Sequence, residues 1–252
     1  MCKLTKIKNF LDKYLRIDHI NDTCWNGLQF EGRKSVKKIV FAVDAGLDTF
    51  KEARSSSADL IVVHHGHFLK SQNPSINNWA KKRIDILYEN EISLYACHLP
   101  LDRHKVVGNN AQIIKLIGAA IKDEFLFHGG KNIGWVGEFG KALNLSRIEK
   151  KLNDELGSIC TVLPFGKEMI KTVAVCSGGG GYGGFYDAMN LGVDLYITGD
   201  AIEIFHSAKD SGMNVIFGGH HTTETIGLKA LEKVIRKKFD VDTEFIDLPT
   251  GL

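Results

Sequence analysis

Short apolar runs alternate with amphipathic segments along almost the whole chain, and this alternation constrains the fold more than any other feature. The apolar runs, which we interpret as buried strands, fall at residues 38–43, 59–63, 93–97, 172–175, 194–197 and 214–217, with a last strand at 243–246. Residues 129–137 predict a turn that enters a further strand. Segments with helical periodicity lie at residues 4–17, 47–54, 79–89, 111–117, 145–156, 184–191, 201–209 and 223–238. Strands that alternate with helices are typical of crossover units around a largely parallel sheet. The sequence therefore predicts an α/β fold.

The length of the chain and one change in its pattern suggest two domains. With 252 residues, the chain is long enough for two modest domains that share an interface. The alternation becomes less regular after residue 117, and the composition shifts between residues 124 and 132. We therefore predict a first α/β half at residues 1–125 and a second at residues 126–252, packed tightly together.

Charge and cysteine usage exclude several classes of protein. The formal net charge is +2, from 32 basic and 30 acidic residues, so nothing favours a nucleic-acid partner. The five cysteines form no C-x-x-C pair, and we interpret them as reduced core residues. No run approaches the ~18 apolar residues of a membrane span, and no signal peptide is visible. These features predict a soluble, cytoplasmic protein without a membrane partner.

Polar residues follow the carboxyl ends of predicted strands, where open parallel sheets place their ligands. His64-His65-Gly66-His67 comes directly after the strand at residues 59–63. Because neighbours in an extended segment point in opposite directions, His64 and His65 can reach two metals, or one metal and one supporting residue. Gly66 permits a sharp turn afterwards. The alternative is an ordinary polar loop.

A second polar element, His98-Leu99-Pro100-Leu101-Asp102, follows the strand at residues 93–97. Asp102 offers two oxygens and can bridge two cations. His98 can bind a metal or hold another ligand through a hydrogen bond. The alternative is that Asp102 caps a helix.

The third element, Gly218-Gly219-His220-His221-Thr222-Thr223-Glu224, lies between the strand at residues 214–217 and the last long helix. A helical first turn would place His220 and Glu224, which are four residues apart, on one face. A carboxylate there also suits the positive end of a helix. The alternative is that Thr222 or Thr223 is a helix cap and that Glu224 interacts only with the helix dipole.

Together, the three elements bring imidazole and carboxylate groups, but no thiolate, to the ends of three strands. Nitrogen and oxygen ligands suit Zn²⁺, Fe²⁺, Mn²⁺, Ni²⁺ or Co²⁺. The candidate ligands exceed the ~four of a closed structural zinc site, so either two metals are bound or some of these residues act as supports. Two metals would lie ~3.5–4 Å apart, with Asp102, Glu224 or a hydroxide between them. The candidate ligands are His64, His65, Asp102, His220 and Glu224.

A glycine run at residues 176–184 also follows a strand and opens a helix. Its backbone amides could hold a phosphate or another anion, at Ser177, Gly178, Gly179 and Gly180. The alternative is a flexible turn. Thr198-Gly199-Asp200 brings a carboxylate to another strand end, and His206 is either a lining residue or a surface residue.

These motifs, in this order, resemble the Nif-three-like family, whose members are often labelled GTP cyclohydrolase 1 type 2 homologue. The resemblance runs nearly end to end, and the chain is similar in length to the short members, which lack an inserted domain. It rests on residues 22–29, 42–44, 64–66, 98–102, 177–180, 196–200 and 219–224.

The resemblance implies two similar α/β halves with mixed sheets and exchanged C-terminal strands. It also implies a dinuclear site in the cleft between the halves, with two divalent metal ions on the five candidate ligands, and a ring-shaped homohexamer built as a trimer of dimers. Members often have proline after the paired histidines. This chain has Gly66-His67 instead, which makes His67 an optional extra ligand.

Two functions from different classes are compatible with these features. The first is a metal-dependent hydrolase that acts on a nucleotide or another phosphate-bearing small molecule through a metal-bridging hydroxide. Asp200, His98 and His221 are its candidate proton carriers. The second is a non-catalytic metal-binding regulatory or scaffold protein that forms a toroidal oligomer. A purely structural metal site is a third alternative.

Overall fold

The computed structural model describes all residues, Met1–Leu252, and has a mixed α/β fold. The chain divides into two compact units. Unit 1 comprises Met1–Leu101 and Leu228–Leu248, and unit 2 comprises Asp102–Gly227 and Pro249–Leu252. Each unit contains a mixed sheet, which confirms the predicted fold class.

The elements follow one another in a simple order. As far as residue 102 they are β1 (Cys2–Lys3), α1 (Leu4–Leu15), a 3₁₀ helix (Ile17–His19), β2 (Gly27–Phe30), β3 (Ser35–Val36), β4 (Lys38–Asp44), α2 (Leu47–Ser55), β5 (Leu60–His65), α3 (Asn78–Glu89), β6 (Ser93–Ala96) and α4 (Leu99–Asp102). The rest are α5 (Asn109–Ile117), β7 (Ala120–His128), β8 (Lys131–Asn144), α6 (Leu145–Leu156), β9 (Thr161–Pro164), β10 (Met169–Cys176), α7 (Gly181–Asn190), β11 (Leu195–Thr198), α8 (Phe205–Ser211), β12 (Asn214–Phe217), α9 (His220–Lys238) and β13 (Asp242–Phe245).

Unit 1 is built on a five-stranded sheet in the order β13-β4-β5-β6-β2. Its first four strands are parallel, and β2 runs antiparallel to β6. The apolar residues of β4, β5 and β6 are buried on both faces, as expected for parallel strands covered by helices. Phe50 and Ala53 of α2, together with Leu87 of α3, join that core.

Unit 2 is built on a six-stranded sheet in the order β7-β8-β10-β11-β12-β9. Strands β10, β11 and β12 are parallel, and the flanking strands are antiparallel. Helix α6 packs Leu145, Ile148 and Leu152 into its core. The Asn144 side chain caps this helix by accepting a hydrogen bond from the Ser146 amide, and Gly157 ends it with a left-handed conformation.

The last strand of each half lies in the other half's sheet. Strand β13, at the end of the chain, pairs with β4 in unit 1. Strand β7 pairs with β8 in unit 2. Residue 125, at which the sequence divides the chain, lies inside β7, and the compact units change over between Leu101 and Asp102.

Most helices and central strands lie where the sequence places them, but several boundaries differ. The helix predicted at residues 201–209 begins only at Phe205, whereas α7 and α9 begin three residues earlier than predicted, at Gly181 and His220. Strands β1, β2, β3, β7 and β9 were not predicted. No helix of the structure combines the length and the apolar character that crossing a membrane requires.

Candidate metal centre

The parallel strands of unit 1 bring three histidines to their carboxyl ends. His64 and His65 are the last residues of β5, and His98 follows β6 by two residues. One ligand atom from each of the three lies within 4.8 Å of the others, which is close enough to hold a metal ion. The predicted convergence of polar residues at the strand ends is therefore confirmed within this unit.

Hydrogen bonds fix the rings of His64 and His65. His64 is fully buried, and its Nδ1 lies 3.0 Å from the carbonyl oxygen of Cys97. Nδ1 of His65 lies 2.8 Å from Oδ1 of Asp44, the residue opposite His65 in the ladder between β4 and β5. Metal-binding histidines typically place one ring nitrogen against a carbonyl or carboxylate, which orients the other towards the metal. Both histidines have this arrangement, in which Nε2 is the atom that could hold a metal ion.

His98 is held in the same way by Asp22. Its Nδ1 lies 2.8 Å from Oδ1 of Asp22, whose Oδ2 accepts hydrogen bonds from Nδ2 of Asn26 and from the Leu99 amide. Burial acts to raise the pKa of Asp22, but the hydrogen bond and the charge of His98 outweigh it, and the pKa lies below its ordinary value. Asp22 is therefore an ionised carboxylate that orients the His98 ring.

In unit 2, the first two turns of α9 carry His220 and Glu224 on one face. Nε2 of His220 lies 3.3 Å from Oε1 of Glu224, and its Nδ1 lies 2.8 Å from Oδ1 of Asp200. The hydrogen bond to Glu224, opposed by burial and aided by the Glu224 charge and by Asp200, raises the pKa of His220 to about 9. At neutral pH the His220 ring is therefore protonated on both nitrogens and lies between two carboxylates.

Asp102, at the start of unit 2, is another buried carboxylate. Its Oδ1 accepts hydrogen bonds from Nδ2 of Asn109 at 2.8 Å and from Oγ of Ser177 at 3.0 Å. A ligand oxygen of Asp102 lies within 4.8 Å of one of Glu224. Asp102 ends helix α4 and does not cap the start of a helix, so the alternative interpretation of this residue is wrong.

The glycine run packs directly against these carboxylates. Gly178 has a φ of +58°, and a Cβ atom there would lie 2.1 Å from Oε1 of Glu224. The amides of Ser177, Gly178 and Gly180 donate hydrogen bonds to side chains of Asn110, Thr223 and Thr198. The loop therefore shapes the space around Glu224, while phosphate binding by Ser177, Gly178, Gly179 and Gly180 stays a prediction.

The remaining candidate histidines have different surroundings. His221 is buried, and its backbone amide donates to the Leu252 carbonyl. His67 is buried and belongs to none of the metal-binding groups; its ring packs against Phe68 and Trp79. His206 is an exposed residue of α8.

Sequence reasoning assigned no role to the residues that orient the ligands, namely Asp22, Asp44 and Asn109. Asp44 carried a usable signal, because it ends the strand before the one that carries His65. Asp22 carried a signal only as part of the motif at residues 22–29, and Asn109, which opens a helix, carried none.

Comparisons with known proteins agree with this architecture. The family model Duf34/NIF3 (NGG1p interacting factor 3) matches residues 2–250. A protein of Archaeoglobus fulgidus named "GTP cyclohydrolase 1 type 2 homolog" is 41% identical over 250 residues, which cover 99% of both chains. A protein of Pyrococcus abyssi with the same name is 41% identical over 249 residues, which cover 98% of both.

One solved structure has nearly the same fold over its whole length. It is titled "protein ybgI, unknown function", is 34% identical to this chain, and superposes with a TM-score of 0.92 over 100% of both chains. The sequence match and the structural match both span essentially the entire molecule. This chain belongs to the Duf34/NIF3 family.

Proposed function

We propose that the chain binds two divalent metal ions through His64, His65, Asp102, His220 and Glu224 and hydrolyses a nucleotide or another phosphate-bearing small molecule. The observation that carries this proposal is the orientation of the imidazoles. Each of the three ligand histidines places Nδ1 against an oxygen atom, from Cys97, Asp44 or Asp200. Surroundings of this kind are typical of metal-binding histidines.

The donor atoms suit a small divalent transition metal. The proposed set contains imidazole nitrogens and carboxylate oxygens, which bind Zn²⁺, Fe²⁺, Mn²⁺, Ni²⁺ or Co²⁺. The thiol nearest in sequence to the glycine run is Cys176, and it is not a competing ligand. Burial, together with the charges of Asp102 and Glu224, raises its pKa far above neutral, so it stays a protonated thiol.

One of the proposed carboxylate ligands follows the histidines of unit 1 closely in the chain. His98 and Asp102 are separated by one turn of helix, because α4 spans Leu99–Asp102. The histidine group of unit 1 is therefore followed, one turn later in the chain, by the first carboxylate of unit 2.

Two divalent ions in such a centre supply Lewis acidity and lower the pKa of a water molecule towards ~7. Among the candidate proton carriers, His98 is the best placed to move a proton. Its ring is part-exposed, and its Nδ1 is hydrogen-bonded to the carboxylate of Asp22. Asp200 lies against Nδ1 of His220, so we assign it a positioning role.

Metal content and hydrolysis test the proposal together. We expect about two metals per chain by mass spectrometry, and turnover of at least one member of a nucleotide and phosphoester panel that chelator removes and metal restores. Asp102→Ala should abolish turnover, whereas His206→Ala, at an exposed position outside the centre, should leave it unchanged. Two bound metals without any turnover would favour the regulatory or scaffold protein instead.

We also propose the homohexamer, as a trimer of dimers. Its support is the family resemblance. Light scattering should then give about 168 kDa, six times the chain mass of 28.0 kDa. A mass near 28.0 kDa would contradict it.

A further inference from the structure

Unit 1 contains a cavity that is lined by none of the proposed metal ligands. The cavity has a volume of about 430 Å³, within the range of about 300–1,000 Å³ typical of small-ligand clefts. Its walls include Trp25 and Trp79, which are 56% and 57% exposed. Two tryptophans with that much exposed surface at one cleft are unusual, because indole rings normally bury most of their area. We call this cavity the tryptophan cleft.

One residue that lines the tryptophan cleft also contains a buried polar atom. His67 is 6% exposed, and its Nδ1 has no hydrogen-bond partner within the protein. The ring is fixed by Phe68 and Trp79, with ring centroids 4.7 Å and 5.8 Å away. Leaving a buried polar nitrogen without a partner is costly, so a ligand that pairs with it gains both affinity and specificity.

The charges around the cleft select the sign of the ligand. Lys70 lines it, with Nζ 5.3 Å from the centre of the Trp25 ring. Arg83, although not a lining residue, places its guanidinium carbon 4.9 Å from the centre of the Trp79 ring. No aspartate or glutamate lines the cleft. Cations already lie over both rings, so a positively charged ligand is disfavoured and an anionic one is attracted.

Polar residues at the cleft indicate that the ligand also has hydrogen-bonding groups. Gln72, Asn73 and Asn77 line the cleft with side-chain amides, which can both donate and accept hydrogen bonds. Aromatic walls stack planar rings, and amides pair with the nitrogen and oxygen atoms at the edges of such rings.

We propose that the tryptophan cleft binds a mononucleotide, with its base against Trp25 and Trp79 and an edge of the base at His67, and its phosphate at Lys70. Because none of the proposed metal ligands lines the cleft, this binding should not require metal ions. It can therefore be tested independently of the proposed hydrolysis.

The test measures binding to chelator-treated full-length protein by calorimetry and by tryptophan fluorescence. The probes are GMP, AMP and UMP, with ribose 5-phosphate as the ligand that lacks a base. We expect saturable binding of at least one mononucleotide, at least about tenfold weaker binding of ribose 5-phosphate, and at least about a tenfold loss in Trp79→Leu and in His67→Phe. The second variant keeps an aromatic ring but removes the polar nitrogen.

The control is Tyr88→Leu, which removes another exposed aromatic residue from the same helix, α3, outside the cleft. It should bind the mononucleotide as the wild type does. Since Trp79 is largely exposed, its replacement should fold, and unchanged metal content in Trp79→Leu separates this result from damage to the metal centre. Absence of mononucleotide binding, equal binding of ribose 5-phosphate, or full binding by both cleft variants would overturn the proposal.

Discussion

Nε2 of His220 lies 3.3 Å from Oε1 of Glu224, while Nδ1 of the same ring lies 2.8 Å from Oδ1 of Asp200. The ring is therefore bracketed by two carboxylates, which share its positive charge in the metal-free protein. A divalent cation at Glu224 would replace the proton on Nε2 and leave the hydrogen bond to Asp200 intact. In the proposed centre, Glu224 would therefore act as a ligand and Asp200 as a support of His220.

The first prediction separates these two roles. Glu224→Gln should remove one metal from the chain, because an amide is a much weaker ligand than a carboxylate. Asp200→Asn should keep both metals but lower the affinity about 10- to 100-fold, since the support of His220 is weakened. Competition titrations with a metal indicator measure both effects.

The control for this pair is Glu203→Gln, which changes an exposed carboxylate close to Asp200 in sequence. It should leave the affinity unchanged. Equal metal content and equal affinity in all three variants would contradict the assignment.

The second prediction concerns the glycine run. Gly178 and Gly181 have nearly the same backbone conformation, with φ of +58° and +59°. A Cβ atom at Gly178 would lie 2.1 Å from Oε1 of Glu224, whereas one at Gly181 would have no heavy atom within 4 Å. Gly178→Ala should therefore displace Glu224 and lower the metal content.

Gly181→Ala is the matched control, because it carries the same backbone strain without the collision. It should cost about 1–2 kcal/mol of stability and retain the metals. Metal content and melting temperature of both variants provide the measurement. Equal loss of metal in the two would show that backbone strain, and not contact with Glu224, is responsible.

The central strands, and the places of the candidate ligands at their ends, could be predicted from sequence for one reason. Strands such as β5 and β12 are continuous apolar runs, and the histidines follow directly at their carboxyl ends. The edge strand β7 had no such signal, because only Phe125 of its residues is buried. The alternation of apolar and polar residues along a strand disappears when neither face of the strand is covered.

The supporting residues could not be predicted from local sequence patterns, because their contacts join distant parts of the chain. Asp22 contacts His98 across 76 positions of the chain, and Asn109 contacts Gly227 across 118.

Gly66 shows a second limit of prediction from sequence. The sequence assigned it conformational freedom, but its φ is not positive; a Cβ there would lie 2.3 Å from Nε2 of Gln29 and 2.8 Å from Cβ of Ala96. Close packing, which only the folded chain reveals, accounts for that glycine.

The third prediction tests the support of Asp102. Asn109 is fully buried; its Nδ2 donates to Asp102 and its Oδ1 accepts from the Gly227 amide. Asn109→Ala should cost about 1–3 kcal/mol for each buried group that loses its partner. It should also weaken metal binding, because Asp102 loses one of the two donors that orient it.

Asn144→Ala is the control, since it removes another asparagine, which caps α6 and donates a hydrogen bond to Glu168 but contacts none of the candidate ligands. It should cost about 1 kcal/mol and leave metal affinity unchanged. Denaturant unfolding and metal titration distinguish the two variants. Loss of stability in Asn109→Ala with wild-type metal affinity would remove Asn109 from the centre.

The last prediction concerns the stability of the protein in acid and a residue outside the proposed metal centre, Asp194. Oδ2 of Asp194 accepts hydrogen bonds from the amides of Lys171 and Thr172, and its Oδ1 lies 2.8 Å from Nζ of Lys167. Burial acts to raise the pKa of Asp194, but the hydrogen bonds and the charge of Lys167 outweigh it, and the pKa is lowered. These contacts connect the start of β11 to β10, and the ionised carboxylate stabilises the native state.

Because the native pKa lies below the unfolded value of about 3.9, this stabilisation is fully present above that value and is lost as the pH falls through the native pKa. Asp194→Ala should therefore cost about 1.5–3 kcal/mol at neutral pH, and the difference from the wild type should shrink steadily below about pH 4. Asp210→Ala, at an exposed position of α8, should show little difference at any pH. Urea unfolding at several pH values measures the free energy of unfolding of each variant. If the loss of stability in Asp194→Ala stays constant as the pH falls well below about 4, the charge of Asp194 does not contribute.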